Sequence, residues 1–159
     1  MSTRTENPTA RPPVEGVHGA RILIVESRYY PEIADALISG ADAEIKKNGA
    51  TYERVVVPGA FEIPGAIALA ADRYDGFLAL GCVIRGETPH FDYVCAEAAR
   101  GITDAAAATG VPVAFGVVTA NTLEQAEARS GGAHGNKGNE AADAAVEMAE
   151  LMRTLPRRR

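Results

Sequence analysis

Residues 80–94 (LGCVIRGETPHFDYV) place Arg85, Gly86, Glu87, Thr88, Pro89 and His90 between an apolar run and an aromatic helix start. A cation, a glycine turn, a hydroxyl and an imidazole thus share one short loop. An imidazole titrates at about 6.5, so His90 could pass protons at neutral pH. It could equally be a helix-start histidine satisfied by local hydrogen bonds. Gly86, Glu87 and Thr88 could offer backbone N–H groups to an anion, or form an ordinary turn capped by Thr88. Elsewhere, Glu62 lies in the apolar segment AFEIPGA. Its carboxylate either complements a helix dipole or accepts hydrogen bonds from a ligand. Tyr29 and Tyr30 precede Pro31; they could stack on a planar ring or roof the core. Arg129 and Lys137 flank the glycine-rich segment 130–138. Basic groups there suit phosphate capture, or are simply solvated.

The elements that must position these residues follow from the hydrophobic pattern. Residues 20–26 (ARILIVE), 52–57, 76–83 and 111–118 are strand-like apolar runs, the near-continuous kind found in sheets covered on both faces. Between them, Ile33, Ala34, Leu37, Ile38, Ala41 and Ile45 form a helical stripe that Asn48-Gly49 closes. Further helices are expected over 60–72, 91–109, 122–129 and 139–153, with 130–138 as a glycine-rich connection. Strand–helix alternation of this kind predicts an α/β fold. It is a three-layer α/β/α sandwich of flavodoxin-like type, with a four-stranded parallel sheet and right-handed crossovers. The carboxyl-end loops 27–30, 58–64, 85–90 and 119–122 should gather on one edge of that sheet.

The chain of 159 residues is expected to form one domain over 20–155. A polar, proline-bearing arm over 1–19 should stand off the core, with Val14 and Val17 able to pair with a neighbour's sheet edge. A basic tail over 156–159 closes the chain. A net charge of −5 argues against nucleic-acid binding. Two cysteines, Cys82 and Cys95, read as small buried hydrophobes, and no cysteine–histidine cluster has zinc spacing. No run approaches the roughly 20 apolar residues of a membrane span, and no signal-peptide core is present; a cytoplasmic location is the expectation. GxGxxG, P-loop and GxSxG motifs are all missing.

Five blocks in order carry a family resemblance: Arg28-Tyr29, VPGAFEIP at 57–64, LGCVIRGETPHFDYV at 80–94, GVPVAFGVVT at 110–119, and Arg129 with GNKG at 135–138. The chain resembles the 6,7-dimethyl-8-ribityllumazine synthases of riboflavin biosynthesis over roughly residues 20–155. The resemblance implies condensation of 5-amino-6-(D-ribitylamino)uracil with 3,4-dihydroxy-2-butanone 4-phosphate, giving the lumazine, phosphate and water. It implies no metal and no organic cofactor. It implies that Tyr29 stacks on the pyrimidine, that Ala60, Phe61 and Glu62 hold the ribityl chain, and that Cys82, Val83 and Ile84 contact the uracil ring. Glu87 and Thr88 would contact the phosphate, and His90 would transfer protons. Phe115, Arg129 and Lys137 would come from an adjacent subunit, Arg129 and Lys137 joining His90 in the catalytic set. The implied assembly is a homopentamer with interface sites, twelve pentamers forming a hollow capsid in many members. The arm would add a strand to a neighbour. Tyr29 and Tyr30 depart from the family's commoner Phe or Trp and Asn, and Ala133 stands where Lys is common. The competing reading is a catalytically weak relative that binds flavin or lumazine.

Overall fold

In a computed structural model of the protein, residues 12–156 are described. The parts of the N-terminal arm at 1–11 and of the basic tail at 157–159 lie outside the described residues. The order is β1 (Arg21–Ser27), α1 (Pro31–Lys47), β2 (Thr51–Val57), a 3₁₀ turn (Ala60–Glu62), α2 (Ile63–Ala70), β3 (Gly76–Ile84), α3 (His90–Thr109), β4 (Val113–Ala120), α4 (Leu123–Ala128), β5 (Ser130–Gly132), β6 (Gly135–Asn136) and α5 (Lys137–Thr154). The main sheet is parallel in the order β2-β1-β3-β4. The chain therefore reverses its direction of progress across the sheet between β1 and β3, and their carboxyl ends splay open a crevice there.

Burial explains the strand sequences. The inner strands β1 and β3 are buried on both faces, so their central residues are near-continuously apolar, with the polar Arg21, Glu26 and Ser27 confined to the ends of β1. The edge strand β2 is largely exposed and tolerates Glu53 and Arg54. One face of the sheet packs on α1 and α5 through Ile22, Ile24, Leu78, Leu37, Ile45 and Val146. The other packs on α2 and α3 through Leu23, Val25, Phe77, Ala79, Ile63, Ile67 and Ile102. Side chains alternate between these faces along each strand. Fully buried residues such as Ile24, Leu37 and Ile67 each contribute about 1.5–3 kcal/mol of burial free energy.

The three-layer fold with its four-stranded parallel sheet is as the pattern predicts, and three local expectations are corrected. First, residues 12–19 do not stand off the core. Val17 is fully buried in the α1/α5 layer and Val14 packs against it, while the Val14 N–H donates to Asn48 Oδ1 at 2.6 Å. Within one chain these two valines already have their apolar partners. Second, the helix expected over 60–72 is divided. A 3₁₀ turn carries Ala60–Glu62, and the α-helix proper starts at Ile63, with Pro64 tolerated in its first turn. Third, the glycine-rich connection is a small antiparallel hairpin, β5–β6, and α5 begins earlier, at Lys137.

Candidate active site

The crevice between β1 and β3 opens into a pocket of about 800 Å³. Its lining comes from three of the four predicted loops and from the start of α3. Tyr29, Ala60, Phe61, Glu62, Cys82, Val83, Ile84, Thr88 and His90 all border it, so most of the predicted site residues meet in one place. Glu87 is exposed on the same loop but is not part of the lining. Ser27, Phe91, Tyr93 and Val94 border the pocket as well and were not singled out from the sequence. Helical spacing was the available signal for two of them, because positions three and four after His90 share its face of α3.

The walls are aromatic. Tyr29 meets Tyr30 edge-on with ring centroids 5.2 Å apart. Tyr29, Phe61 and Tyr93 are 73%, 58% and 70% exposed, an unusual cost for rings unless something covers them. Burial raises the phenol pKa of Tyr30 above its ordinary value, with smaller contributions from Cys82 and Tyr29. Desolvation pushes the Cys82 thiol up to about 11, Cys95 adding to it. Cys82 is therefore a neutral thiol at physiological pH and not a nucleophile.

The polar groups have distinct supports. Glu62 stands at the N-cap position of α2, its side chain makes no capping bond, and it borders the pocket. His90 is the first residue of α3. Its backbone N–H lies 3.4 Å from Thr88 Oγ1, and its imidazole borders the pocket. Arg85, the cation of the 80–94 loop, is held by its own neighbours. Its guanidinium lies 4.3 Å over the Phe91 ring, bonds Asp92 through both terminal nitrogens at 3.0 and 3.3 Å, and donates Nε–H to Asn121 Oδ1 at 3.0 Å. It braces the loop before α3 against the loop after β4 and so fixes the backbone that carries His90. Beneath Tyr29, Arg28 bridges Asp35 at 2.7 Å and the buried Glu26 at 3.3 Å. Arg54 also reaches Glu26, at 2.6 Å. The Asp35 hydrogen bond is the main reason the Arg28 pKa is raised. This network holds the β1–α1 turn in place.

Phe115, Arg129 and Lys137 are not in this pocket. They border a second concavity of about 450 Å³ along the β4 edge, with Thr119, Glu140 and Ala144. The hairpin explains their pairing: the Lys137 N–H donates to the Arg129 carbonyl at 2.8 Å, so the two cations leave from facing backbone positions. Each residue of GNKG has its own task. Gly135 takes φ +77° in the turn. Asn136 Oδ1 caps α5 by accepting from the Gly138 and Asn139 N–H groups. Gly138 touches the α1 backbone so closely that an added Cβ would lie 2.0 Å from the Leu37 carbonyl oxygen. Lys137 is left to present its ammonium, which rests on Glu140 at 2.8 Å. Arg129 Nη1 rests on the Gln125 carbonyl at 3.0 Å. Among the described residues, no group of three or more His, Cys, Asp and Glu side chains could hold a metal ion, and no helix is long and apolar enough to cross a membrane.

Fold and site together define a flavodoxin-like α/β protein with an aromatic-walled pocket at the sheet's switch point. Comparison with known proteins is specific. A sequence model of 6,7-dimethyl-8-ribityllumazine synthase matches residues 19–153. The chain is 49% identical to 6,7-dimethyl-8-ribityllumazine synthase 1 of Rhodopseudomonas palustris, over 87% of this chain and 90% of that protein. It is 47% identical to the synthase of Nitrobacter hamburgensis over the same shares. It is 45% identical to that of Azorhizobium caulinodans, over 96% of this chain and 97% of that one. The chain belongs to the 6,7-dimethyl-8-ribityllumazine synthase family, a family of transferases.

Proposed function

We propose that the protein joins 5-amino-6-(D-ribitylamino)uracil to 3,4-dihydroxy-2-butanone 4-phosphate, releasing 6,7-dimethyl-8-ribityllumazine, phosphate and water, at sites shared between neighbouring subunits of a homopentamer. The observation that carries this reading is the separation of ring-binding from phosphate-binding groups. The switch-point pocket offers aromatic faces, a carboxylate and an imidazole, and none of its described lining residues is Lys or Arg. The cations suited to a phosphate border the β4 edge instead. A neighbour's β4 edge set against the pocket mouth would cover the exposed aromatic rings and supply Phe115, Arg129 and Lys137.

In this arrangement Tyr29 stacks on the pyrimidine, and backbone groups of Cys82, Val83 and Ile84 meet the ring edge. Ala60, Phe61 and Glu62 line the ribityl chain, with Glu62 accepting from its hydroxyls. Glu87, Thr88 and the neighbour's Arg129 and Lys137 hold the phosphate. The substrate's own amine attacks the ketone, so the enzyme needs no nucleophile, in keeping with a Cys82 thiol that stays protonated. His90 takes and returns protons as the imine forms and the carbon–phosphate oxygen bond breaks. Imine formation releases one water, and ring closure with loss of a second completes the lumazine. Holding two reactants in register supplies a large share of such a rate effect, and proton transfer by a positioned side chain adds typically about 10²–10⁴-fold. The setting is the cytoplasm, where small phosphorylated metabolites are made. Purified protein given both substrates should release a fluorescent lumazine and inorganic phosphate together, and should sediment as a pentamer or as a capsid of twelve pentamers. Tight flavin binding with neither product would overturn this reading in favour of a binding protein.

A further inference from the structure

One polar group of the pocket has no role in the reaction scheme above. Ser27, the last residue of β1, is 3% exposed, borders the pocket, and its Oγ has no hydrogen-bond partner. A buried hydroxyl without a partner is costly, and native structures retain one only for a reason. Its placement supplies the reason. Side chains alternate along β1, and Leu23 and Val25 belong to the α2/α3 face. Ser27 is the next residue on that face, at the level where the apolar layer stops. Ala60–Glu62 and His90, Phe91, Tyr93 and Val94, which follow from the same side of the sheet, are pocket walls at that level. Its neighbour on β3 is Gly81, where an added Cβ would come within 3.3 Å of the Ser27 Cβ. Beyond Gly81 comes Cys82, and two residues beyond Ser27 comes Tyr29. Ser27 therefore lies at the floor of the crevice between Tyr29 and the end of β3, with its Oγ just beneath the pocket surface.

We infer that Ser27 is a binding and specificity residue for the heteroaromatic substrate, its hydroxyl completing its hydrogen bonding with a carbonyl or N–H group on the pyrimidinedione edge. A hydroxyl both donates and accepts, so it can match either. This rests on the proposed function, since it needs a planar polar-edged ring in the pocket. It also separates binding from stability. A group unsatisfied in the free protein contributes nothing to the fold by hydrogen bonding, so its removal costs substrate affinity and not folding.

The test is steady-state kinetics and thermal melting of the full-length wild type and Ser27→Ala. Expected is a roughly tenfold rise in KM for the pyrimidine, an unchanged KM for the sugar phosphate, an unchanged inhibition constant for inorganic phosphate, and a melting temperature no lower than wild type. An active wild type with an unaltered pyrimidine KM in Ser27→Ala would overturn this inference alone. A lowered melting temperature with both KM values raised would also overturn it, showing a structural serine. A wild type that makes no lumazine would overturn the proposed function, and the inference with it.

Discussion

The two concavities of this chain differ in what they offer. The switch-point pocket is walled by Tyr29, Phe61, Tyr93 and Val94 and floored by strand ends; it suits a flat ring with a polar edge. The β4-edge concavity is smaller, at about 450 Å³, and carries Arg129 and Lys137 beside Phe115; it suits an anion. A reaction that joins a heteroaromatic amine to a sugar phosphate needs both. One chain thus carries two concavities of opposite chemistry, and the proposed function makes the working unit where two chains bring them together.

Removing the anion half should give the largest effect. Arg129→Ala should lower kcat/KM by about 10³-fold, in line with truncating one member of a desolvated charge pair. Measured with both substrates varied, the loss should concentrate on the sugar phosphate. Unchanged turnover would remove Arg129 from the site and break the comparison at its root. Altering the ring half at His90 should cost less. His90→Ala should slow kcat by about 10²-fold, the low end of general acid–base help, because the substrate amine attacks unaided and positioning is retained. Complete inactivity in a folded His90→Ala protein that still binds the pyrimidine would show that proton transfer outweighs positioning.

Strand–helix alternation made the layers and the loop-bearing edge of the fold legible before the structure. Continuous apolar runs require a sheet covered twice, and the loops at strand carboxyl ends follow from parallel pairing. The hairpin at 130–136 was not legible, because its strands are too short and glycine-rich to show a period. The role of residues 12–19 was also hidden: two valines in a polar, proline-bearing segment carry no periodicity, yet Val17 fills the α1/α5 layer. Within the site, Arg85 shows the limit of reading by residue type. A guanidinium in a glycine loop suits an anion, but Phe91, Asp92 and Asn121 hold it as a brace. Ser27 shows the converse. Nothing in its type marks it, and only its burial without a partner sets it apart.

The central claim is that each catalytic centre draws on two chains, and subunit mixing tests it most directly. His90→Ala and Arg129→Ala proteins, co-expressed in equal amounts and purified as mixed oligomers, would contain centres with both halves intact. Random association of independent half-sites makes these about a quarter of the total. Activity should therefore rise to about a quarter of wild type, far above either variant alone. Activity no greater than the average of the two variants would place both half-sites within one chain and contradict the account.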